Sequence, residues 1–157
     1  MRVFVTGATG FIGSAVVEDL LKAGHQVLGL ARSDAGADAL VAAGAEVHRG
    51  SIEDLESLKR GAAQADGVIH TAFIHDFSKF LENCEKDRLA IDALGSALAG
   101  TEKPLIITSA TALVSNQRPA TEQDLPDPQG QNPRIASDLA AAALAHQGVA
   151  GSVGRLP

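Results

Sequence analysis

Three glycines near the N-terminus, Gly7, Gly10 and Gly13, stand three residues apart and follow an apolar run. Such a turn lets the main chain approach a ligand closely, because glycine reaches torsion angles closed to other residues. A helical pattern that includes Phe11 and Ile12 follows directly. The free N–H groups and the positive dipole end of such a helix point at the glycine turn. The spacing is one residue longer than the usual G-x-G-x-x-G motif. The turn therefore predicts pyrophosphate capture, with an ordinary tight turn as the alternative.

Hydroxyl side chains form a second group that could do chemistry. Thr108, Ser109 and Thr111 follow an apolar run in the middle of the chain. Their hydroxyls can bind a substrate carbonyl or alcohol, or they can hydrogen-bond the main chain at the end of a strand. Ser109 and Thr111 are the candidates for such a contact with a substrate.

A basic residue follows the second apolar run, where dinucleotide sites that prefer NAD place an acid to accept from the ribose 2′-hydroxyl. Ala31 takes that position here, and Arg32 and Ser33 follow it. A guanidinium and a hydroxyl suit a 2′-phosphate, which favours NADP over NAD. Asp34 keeps NAD open, and a solvated surface arginine is the alternative for Arg32.

Two further segments are expected to line a dinucleotide. Ser51 and Ile52 follow the third apolar run, where an adenine could lie, although Ser51 could instead cap the next helix. Thr71, Ala72 and Phe73 follow the fourth run and would line the ribose and the nicotinamide-side phosphate.

Several other residues could react but are interpreted as structural or inert. His70, at the end of the fourth run, is more often structural at such a place. His75 and Asp76 could form a dyad, but adjacent residues seldom orient each other. Cys84 lies on an apolar helical stripe and is expected to be buried and unreactive.

Short apolar runs alternate with helix-like patterns, which is typical of a parallel sheet with helices on both faces. Strands are predicted at residues 2–6, 26–30, 45–48, 67–70, 104–108 and 151–154. Helices are predicted at 11–23, around Leu55 and Leu58, at 77–98 and at 134–146, with a long loop over 115–133. The expected fold class is α/β, a doubly wound parallel sheet with its ligand-binding edge at the ends of the strands.

Composition bounds the remaining function classes. The 157 residues predict one domain, 1–157, and the net charge of −6 argues against a broad nucleic-acid surface. A single cysteine excludes an intrachain disulfide and a cysteine-based zinc site, and no metal site is predicted. No apolar stretch is long enough to span a bilayer, so no membrane partner is expected and the cytoplasm is the expected compartment.

The ordered motifs together resemble the short-chain dehydrogenase/reductase superfamily, in its extended and atypical branch of NAD-dependent epimerase/dehydratase-like proteins. The resemblance rests on 7–13, 68–72, 107–111, Thr121-Glu122 with Asp127-Pro128, and 155–157. It implies a Rossmann-like fold and a bound NAD or NADP. It implies cofactor contacts from Gly7, Thr9, Gly10, Phe11, Ile12, Gly13, Arg32, Ser33, Ser51, Ile52, Thr71, Ala72, Phe73 and Thr108. By the same resemblance Ser109 matches the catalytic Ser/Thr, with Thr111 near it as a second candidate catalytic residue. A substrate-binding region is also expected beyond Pro157, in a longer chain.

The sequence departs from the family at its general acid/base, a Tyr that stands four residues before a Lys. Those positions carry Arg134 and Asp138 here, and the chain contains no Tyr. Arg134 stays charged and cannot exchange the substrate proton, although it could polarise a carbonyl. A solvated Arg134–Asp138 pair, one helical turn apart, is the favoured interpretation.

Two functions follow as hypotheses. The first is an NAD(P)-dependent oxidoreductase or epimerase-like enzyme that acts on a small carbonyl or alcohol substrate, with the proton supplied by a group other than Tyr. The second is a non-catalytic NADP-binding regulatory or sensor module, which the missing Tyr and Lys favour. The long helix at 77–98 could also pair two subunits as a homodimer.

Overall fold

The computed structural model describes residues 1–114 and 118–157, in which six parallel strands form one sheet. The strands are β1 Arg2–Thr6, β2 Gln26–Ala31, β3 Glu46–Arg49, β4 Gly67–His70, β5 Pro104–Ala110 and β6 Ala150–Leu156. Their spatial order is β3-β2-β1-β4-β5-β6. The chain winds outward from β1 to β3 and then returns to β4 on the other side of β1. This confirms the doubly wound α/β fold, and the reversal places a ligand crevice at the ends of β1 and β4.

Five helices cover the sheet in the described part of the chain. They are α1 Phe11–Lys22, α2 Asp34–Ala43, α3 Leu55–Ala63, α4 Phe80–Leu98 and α5 Ile135–His146. Two short 3₁₀ turns, Phe77–Lys79 and Thr111–Val114, precede α4 and follow β5.

The sheet separates two apolar layers. On one face Phe4, Leu94 and Leu105 are fully buried in a cluster that includes residues of α3, α4 and α5. On the other face Val5 and Leu40 belong to a cluster shared with α1 and α2. Because both faces are covered, the strands carry continuous apolar runs rather than an alternating pattern.

The elements differ from the sequence-based expectation in three places. Helix α2 has no counterpart among the predicted helices, since its stripe is built mostly of alanine and is interrupted by Gly36. The expected long helix begins as a 3₁₀ turn at Phe77, where the Asp76 carboxylate accepts from the Ser78 N–H, and becomes α-helical at Phe80. Strand β6 pairs with β5 from Ala150 to Leu156, longer than the run at 151–154 predicts.

The predicted loop over 115–133 contains residues 115–117, which lie outside the described residues. The outer side of α4 exposes Leu81 and, less fully, Leu89, and Phe77 is exposed just before it. The pairing of two subunits through this helix stays a prediction. Across the described residues no helix is long and apolar enough to cross a membrane.

Candidate functional site

The glycine turn is a cradle that only glycine can build at two of its positions. Gly7 has a φ of +67°, and a Cβ there would lie 2.7 Å from the backbone nitrogen of Ala72. A Cβ on Gly13 would lie 2.0 Å from the carbonyl oxygen of Gly7. Both neighbours are backbone and cannot move aside. The glycines therefore allow α1 to approach the ends of β1 and β4 closely.

The N-terminus of α1 is open for an anion. Gly10 is its N-cap and provides no side-chain hydrogen bond, and the first turn carries no acidic residue. A Cβ on Gly10 would meet only the Gly7 carbonyl oxygen, at 3.2 Å, so the space in front of the helix is free. Phe11 and Ile12 are exposed beside it, 97% and 40% respectively. An uncapped helix N-terminus beside free space fits a pyrophosphate.

The segment after β4 is fixed against the cradle. The Thr71 hydroxyl donates to the Thr6 carbonyl oxygen at 2.8 Å, and the Ala72 N–H donates to the Thr6 hydroxyl at 3.4 Å. Phe73 follows, and the Arg134 guanidinium carbon lies 4.1 Å from the centre of its ring. The three residues predicted to follow a cofactor toward nicotinamide thus run from the cradle to the start of α5.

The end of β2 borders a shallow depression of about 490 Å³. Its lining includes Arg32 and Ser51, as predicted for a ribose phosphate and an adenine, and also Arg49, which the sequence analysis did not single out. Arg49 is the register partner of Ala31 in the β2–β3 pairing. It is half exposed and forms an ion pair with Asp34 at 2.5 Å. The register of parallel strands, which the sequence does not display, brings two guanidinium groups to one depression.

Three details near this depression refine the sequence analysis. Asp54 is the N-cap of α3, since its carboxylate accepts from the Ser57 N–H at 3.0 Å, so the interpretation of Ser51 as the cap was wrong. Ile52 is 8% exposed and packs in the core, so little of its side chain can reach an adenine. Ser33 caps α2 by accepting from the Gly36 N–H, which leaves the hydroxyl proton free to donate.

Ser109 lies at the end of β5 and is almost fully buried. Its hydroxyl donates to the Asp138 carboxylate in a short hydrogen bond between β5 and α5. The other oxygen of Asp138 accepts from Arg155 of β6 at 2.7 Å. Ser109 and Arg155 are register partners in the β5–β6 pairing, so the sheet itself sets this arrangement.

The expected solvated pair between Arg134 and Asp138 is wrong. Asp138 is 5% exposed and has partners on β5 and β6 instead. Arg134 lies over Phe73, and its guanidinium is 3.5 Å from the Asp87 carboxylate. The reason is burial, because α5 turns both residues toward the sheet, where partners from other elements are closer than a neighbour on the same helix.

Asp87 is the centre of a buried polar network. The Nε2–H group of His70 donates to the Asp87 carboxylate at 3.2 Å, while Nδ1 of His70 lies 2.7 Å from the Thr6 hydroxyl. The Ser137 hydroxyl donates to Asp87 at 2.6 Å. Burial tends to raise the pKa of Asp87, but the hydrogen bond and charge of His70, with help from Arg134 and Ser137, outweigh it and lower that pKa. These contacts agree with the structural interpretation of His70.

The sequence analysis did not identify Asp87, although its position on the apolar stripe of α4 could have indicated a buried carboxylate. It stands between Cys84 and Ile91 at the spacing of the apolar stripe of α4, where a carboxylate needs a buried partner. Cys84 itself is buried as expected, and burial raises the pKa of its thiol.

The remaining candidates lie around the same edge of the sheet. The Thr108 hydroxyl donates to the His70 carbonyl oxygen at 3.0 Å, and Thr111 is exposed at the start of the 3₁₀ turn after β5. His75 packs edge-on against Phe73, and the Asp76 carboxylate accepts from the Ser78 hydroxyl. The His–Asp dyad therefore has no support in these contacts.

Comparison with known proteins identifies the family of this chain. The model of the NAD dependent epimerase/dehydratase family matches residues 3–145. The chain belongs to this family. The resemblance to the short-chain dehydrogenase/reductase superfamily is thereby confirmed, and the cradle at Gly7–Gly13 lies within the matched residues.

Individual family relatives support the assignment. An uncharacterised protein of Schizosaccharomyces pombe, C2A9.02, is 50% identical over 157 residues, which is 100% of this chain and 53% of the relative. A Stigmatella aurantiaca 4-hydroxy-2-methyl-3-oxo-4-farnesyl-3,4-dihydroquinoline-1-oxide ketoreductase is 30% identical over 137 residues, 85% of this chain and 40% of the relative. The solved UDP-glucose 4-epimerase of Thermus thermophilus in complex with NAD has a TM-score of 0.75 at 28% identity, over 99% of this chain and 54% of that one. The chain thus spans about half the length of these relatives or less.

Proposed function

We propose that this chain is the cofactor-binding part of an oxidoreductase or epimerase-like enzyme that uses NADP, or less favourably NAD, on a small carbonyl or alcohol substrate. The observation that carries the proposal is the position of Ser109. It lies at the end of β5, in the sheet edge that also holds the open N-terminus of α1 and the Thr71–Phe73 segment. Family membership and the NAD complex of the Thermus thermophilus epimerase support a nicotinamide cofactor.

The chain's own residues supply binding and orientation. The cradle from Gly7 to Gly13 would hold the pyrophosphate, Ser51 with the Ile52 backbone would border the adenine, and Thr108 would border the nicotinamide side. When bound, the dinucleotide supplies or accepts the hydride. Ser109 would contact the reacting oxygen, and Thr111, exposed nearby, could contact the rest of the substrate.

A preference for NADP is supported by charge at the end of β2. Arg32 and Arg49 line one depression with Ser51 and Asp54, and Ala31 stands where an acid would accept from a ribose hydroxyl. Two guanidinium groups favour a 2′-phosphate dianion, whereas Asp34, paired with Arg49, opposes it.

A regulatory or sensor module is the second candidate, and Arg134 favours it. This residue stands at the position of the family's Tyr, is held by Asp87 and lies over Phe73. It remains a fixed cation that cannot exchange the substrate proton. NADP occupancy would then alter a contact to another protein without turnover.

Turnover separates the two candidates. The complete protein is mixed with NADPH or NADH and a panel of ketones, aldehydes and nucleotide sugars, and dinucleotide oxidation is followed by absorbance. We expect turnover of at least one substrate, with Ser109→Ala lowering kcat by about 100-fold or more, because a positioned hydrogen-bond donor or proton carrier contributes about that factor. Tight NADPH binding without turnover of any panel member would favour the sensor.

The cofactor preference is tested by binding. We expect Arg32→Ala to weaken NADPH binding by about tenfold or more, since a charge-assisted contact to phosphate is worth about 1.5–3 kcal/mol, and to change NADH binding by less than about threefold. Arg49→Ala should act in the same direction. The change in dinucleotide fluorescence on binding measures both affinities, and Arg60→Ala, exposed on α3, is the matched control. Equal losses for NADPH and NADH would exclude the 2′-phosphate contact.

A further inference from the structure

The hydrogen-bonded chain Ser109–Asp138–Arg155 stands where the family would place a Ser beside a Lys. We propose that it is a proton relay, in which Ser109 exchanges a proton with the substrate oxygen and Asp138 holds that proton. The relay rests on the proposed oxidoreductase function and names the proton donor that this function lacks in a chain without Tyr.

The direction of the first hydrogen bond supports the relay. An ionised carboxylate only accepts, so the Ser109 hydroxyl donates its single proton to Asp138. Its remaining lone pairs are then available to accept a proton from another group. A serine arranged in this way acts as a base toward an alcohol. A serine beside a protonated Lys would have no acceptor there for its own proton.

The ion pair with Arg155 stabilises the Asp138 carboxylate in its buried position. Asp138 and Ser109 are both nearly buried, and burying an unpaired carboxylate is costly. The Arg155 guanidinium at 2.7 Å from the second oxygen offsets that cost. Arg155 leaves the oxygen that faces Ser109 free to take up the proton.

A route to solvent lies on the other side of Asp138. A cavity of about 220 Å³ is bordered by Asp138 and Arg155, with Glu122 and Leu125 of the preceding loop on its wall. Asp138 therefore borders this cavity and also accepts the hydrogen bond of the nearly buried Ser109 hydroxyl. Water in the cavity can return or remove the proton after each cycle.

The step balances in both directions. In alcohol oxidation the dinucleotide held by the cradle would take the hydride released when the substrate C–H bond breaks, and the substrate O–H proton passes to Ser109 Oγ. The proton of Ser109 passes to Asp138, which releases it to the cavity. In carbonyl reduction a protonated Asp138 donates through Ser109 to the oxygen that receives the hydride at its carbon.

Charged groups near Asp138 come from three elements. Arg155 on β6 pairs with it, Glu122 lies across the cavity, and Arg134 lies one turn earlier on α5 but is engaged by Asp87. Arg155 and Glu122 are therefore the charged side chains that face the relay besides Asp138 itself. The Ser109 hydroxyl is the substrate-side member.

The test uses Asp138→Asn in the complete protein, with NADPH and the best carbonyl substrate of the panel. We expect kcat to fall by about 100-fold or more, the range for general acid–base catalysis, while NADPH affinity changes by less than about threefold. In carbonyl reduction the relay needs a protonated Asp138, so the alkaline limb of the pH–rate profile should be lost in Asp138→Asn. Asp138→Ala should be partly rescued by added formate, a carboxylate small enough to enter through the cavity.

The controls separate the relay from a structural role. Asp92→Asn, which removes a surface ion pair with Arg88, should leave kcat and the pH profile unchanged. Asp138→Asn within about threefold of wild type overturns the relay. Loss of NADPH affinity in parallel with kcat, with no rescue by formate, also overturns it in favour of a structural role. A wild-type protein that binds NADPH but turns over no substrate rejects the proposed function itself, before any variant is compared.

Discussion

Asp87→Ala should lower the free energy of unfolding by about 3–5 kcal/mol, the range for removing one partner of a buried charged pair. His70, Ser137 and Arg134 all contact this carboxylate, and Asp87 and His70 are each only 1% exposed. The substitution would leave buried polar groups without their acceptor. Urea unfolding followed by far-ultraviolet circular dichroism measures the loss, since the chain has neither Trp nor Tyr as a fluorescent reporter.

The pH dependence of this loss has a defined sign. The pKa of Asp87 is lowered in the folded protein, so the carboxylate stabilises the fold above its unfolded pKa of about 3.9. That stabilisation disappears as the pH falls through the folded pKa. The difference between wild type and Asp87→Ala should therefore shrink below about pH 4.

A surface residue on the same helix provides the matched control. Asp92→Ala removes an exposed ion pair with Arg88 and should change stability by less than about 1 kcal/mol. A loss for Asp87→Ala no larger than this control would contradict the importance of the buried network.

Gly13→Ala should abolish measurable dinucleotide binding, a loss of about 100-fold or more. The Cβ of the new alanine would lie 2.0 Å from the Gly7 carbonyl oxygen, and the Gly7 backbone is part of the turn that forms the cradle. Relieving the overlap must push α1 away from the ends of β1 and β4. Overpacking of this kind also costs about 1–3 kcal/mol of stability, so binding and urea unfolding are both measured.

Gly10→Ala distinguishes an effect on ligand binding from an effect on stability. Gly10 has a φ of −80° and a ψ of 173°, which alanine adopts, and a Cβ there meets only one backbone oxygen at 3.2 Å. The added methyl group enters the space where the pyrophosphate would lie. We expect binding to fall by about tenfold with little change in stability, while Gly151→Ala on β6, with nothing nearer than 3.9 Å, should change neither. Unchanged binding in Gly10→Ala would place the ligand elsewhere.

The fold was largely predictable because the strands are local apolar runs between helix signals. The predicted bounds of β1 and β4 match the observed ones, and the other four strands differ by one or two residues at an end, where hydrogen bonding to a neighbouring strand decides the boundary. Helix α2 was missed because alanine and glycine give little periodic contrast. The glycine turn was recognisable because the residues that form it are close together in the sequence, so their spacing is visible there.

The partners of the buried charges were not predictable in the same way. Asp138 was expected to pair with Arg134 because helical spacing is visible in a sequence, but it pairs with Ser109 and Arg155 through the register of β5 and β6. Arg49 joins Arg32 for the same reason, through the register of β2 and β3. Contacts between strands depend on long-range packing, which a single sequence does not encode in any visible period.

The two edges of the sheet, as described, should respond differently to contact with another extended chain. At one edge, four-residue β3 carries Glu46, His48 and Arg49, and charged side chains on a short strand discourage further pairing. At the other, β6 runs from Ala150 to Leu156 with small, uncharged residues except for Arg155, whose guanidinium is engaged by Asp138. Its outer row of N–H and C=O groups is long and weakly protected. Strand addition to the described sheet, by a further segment of the same protein or by another chain, should therefore begin at β6.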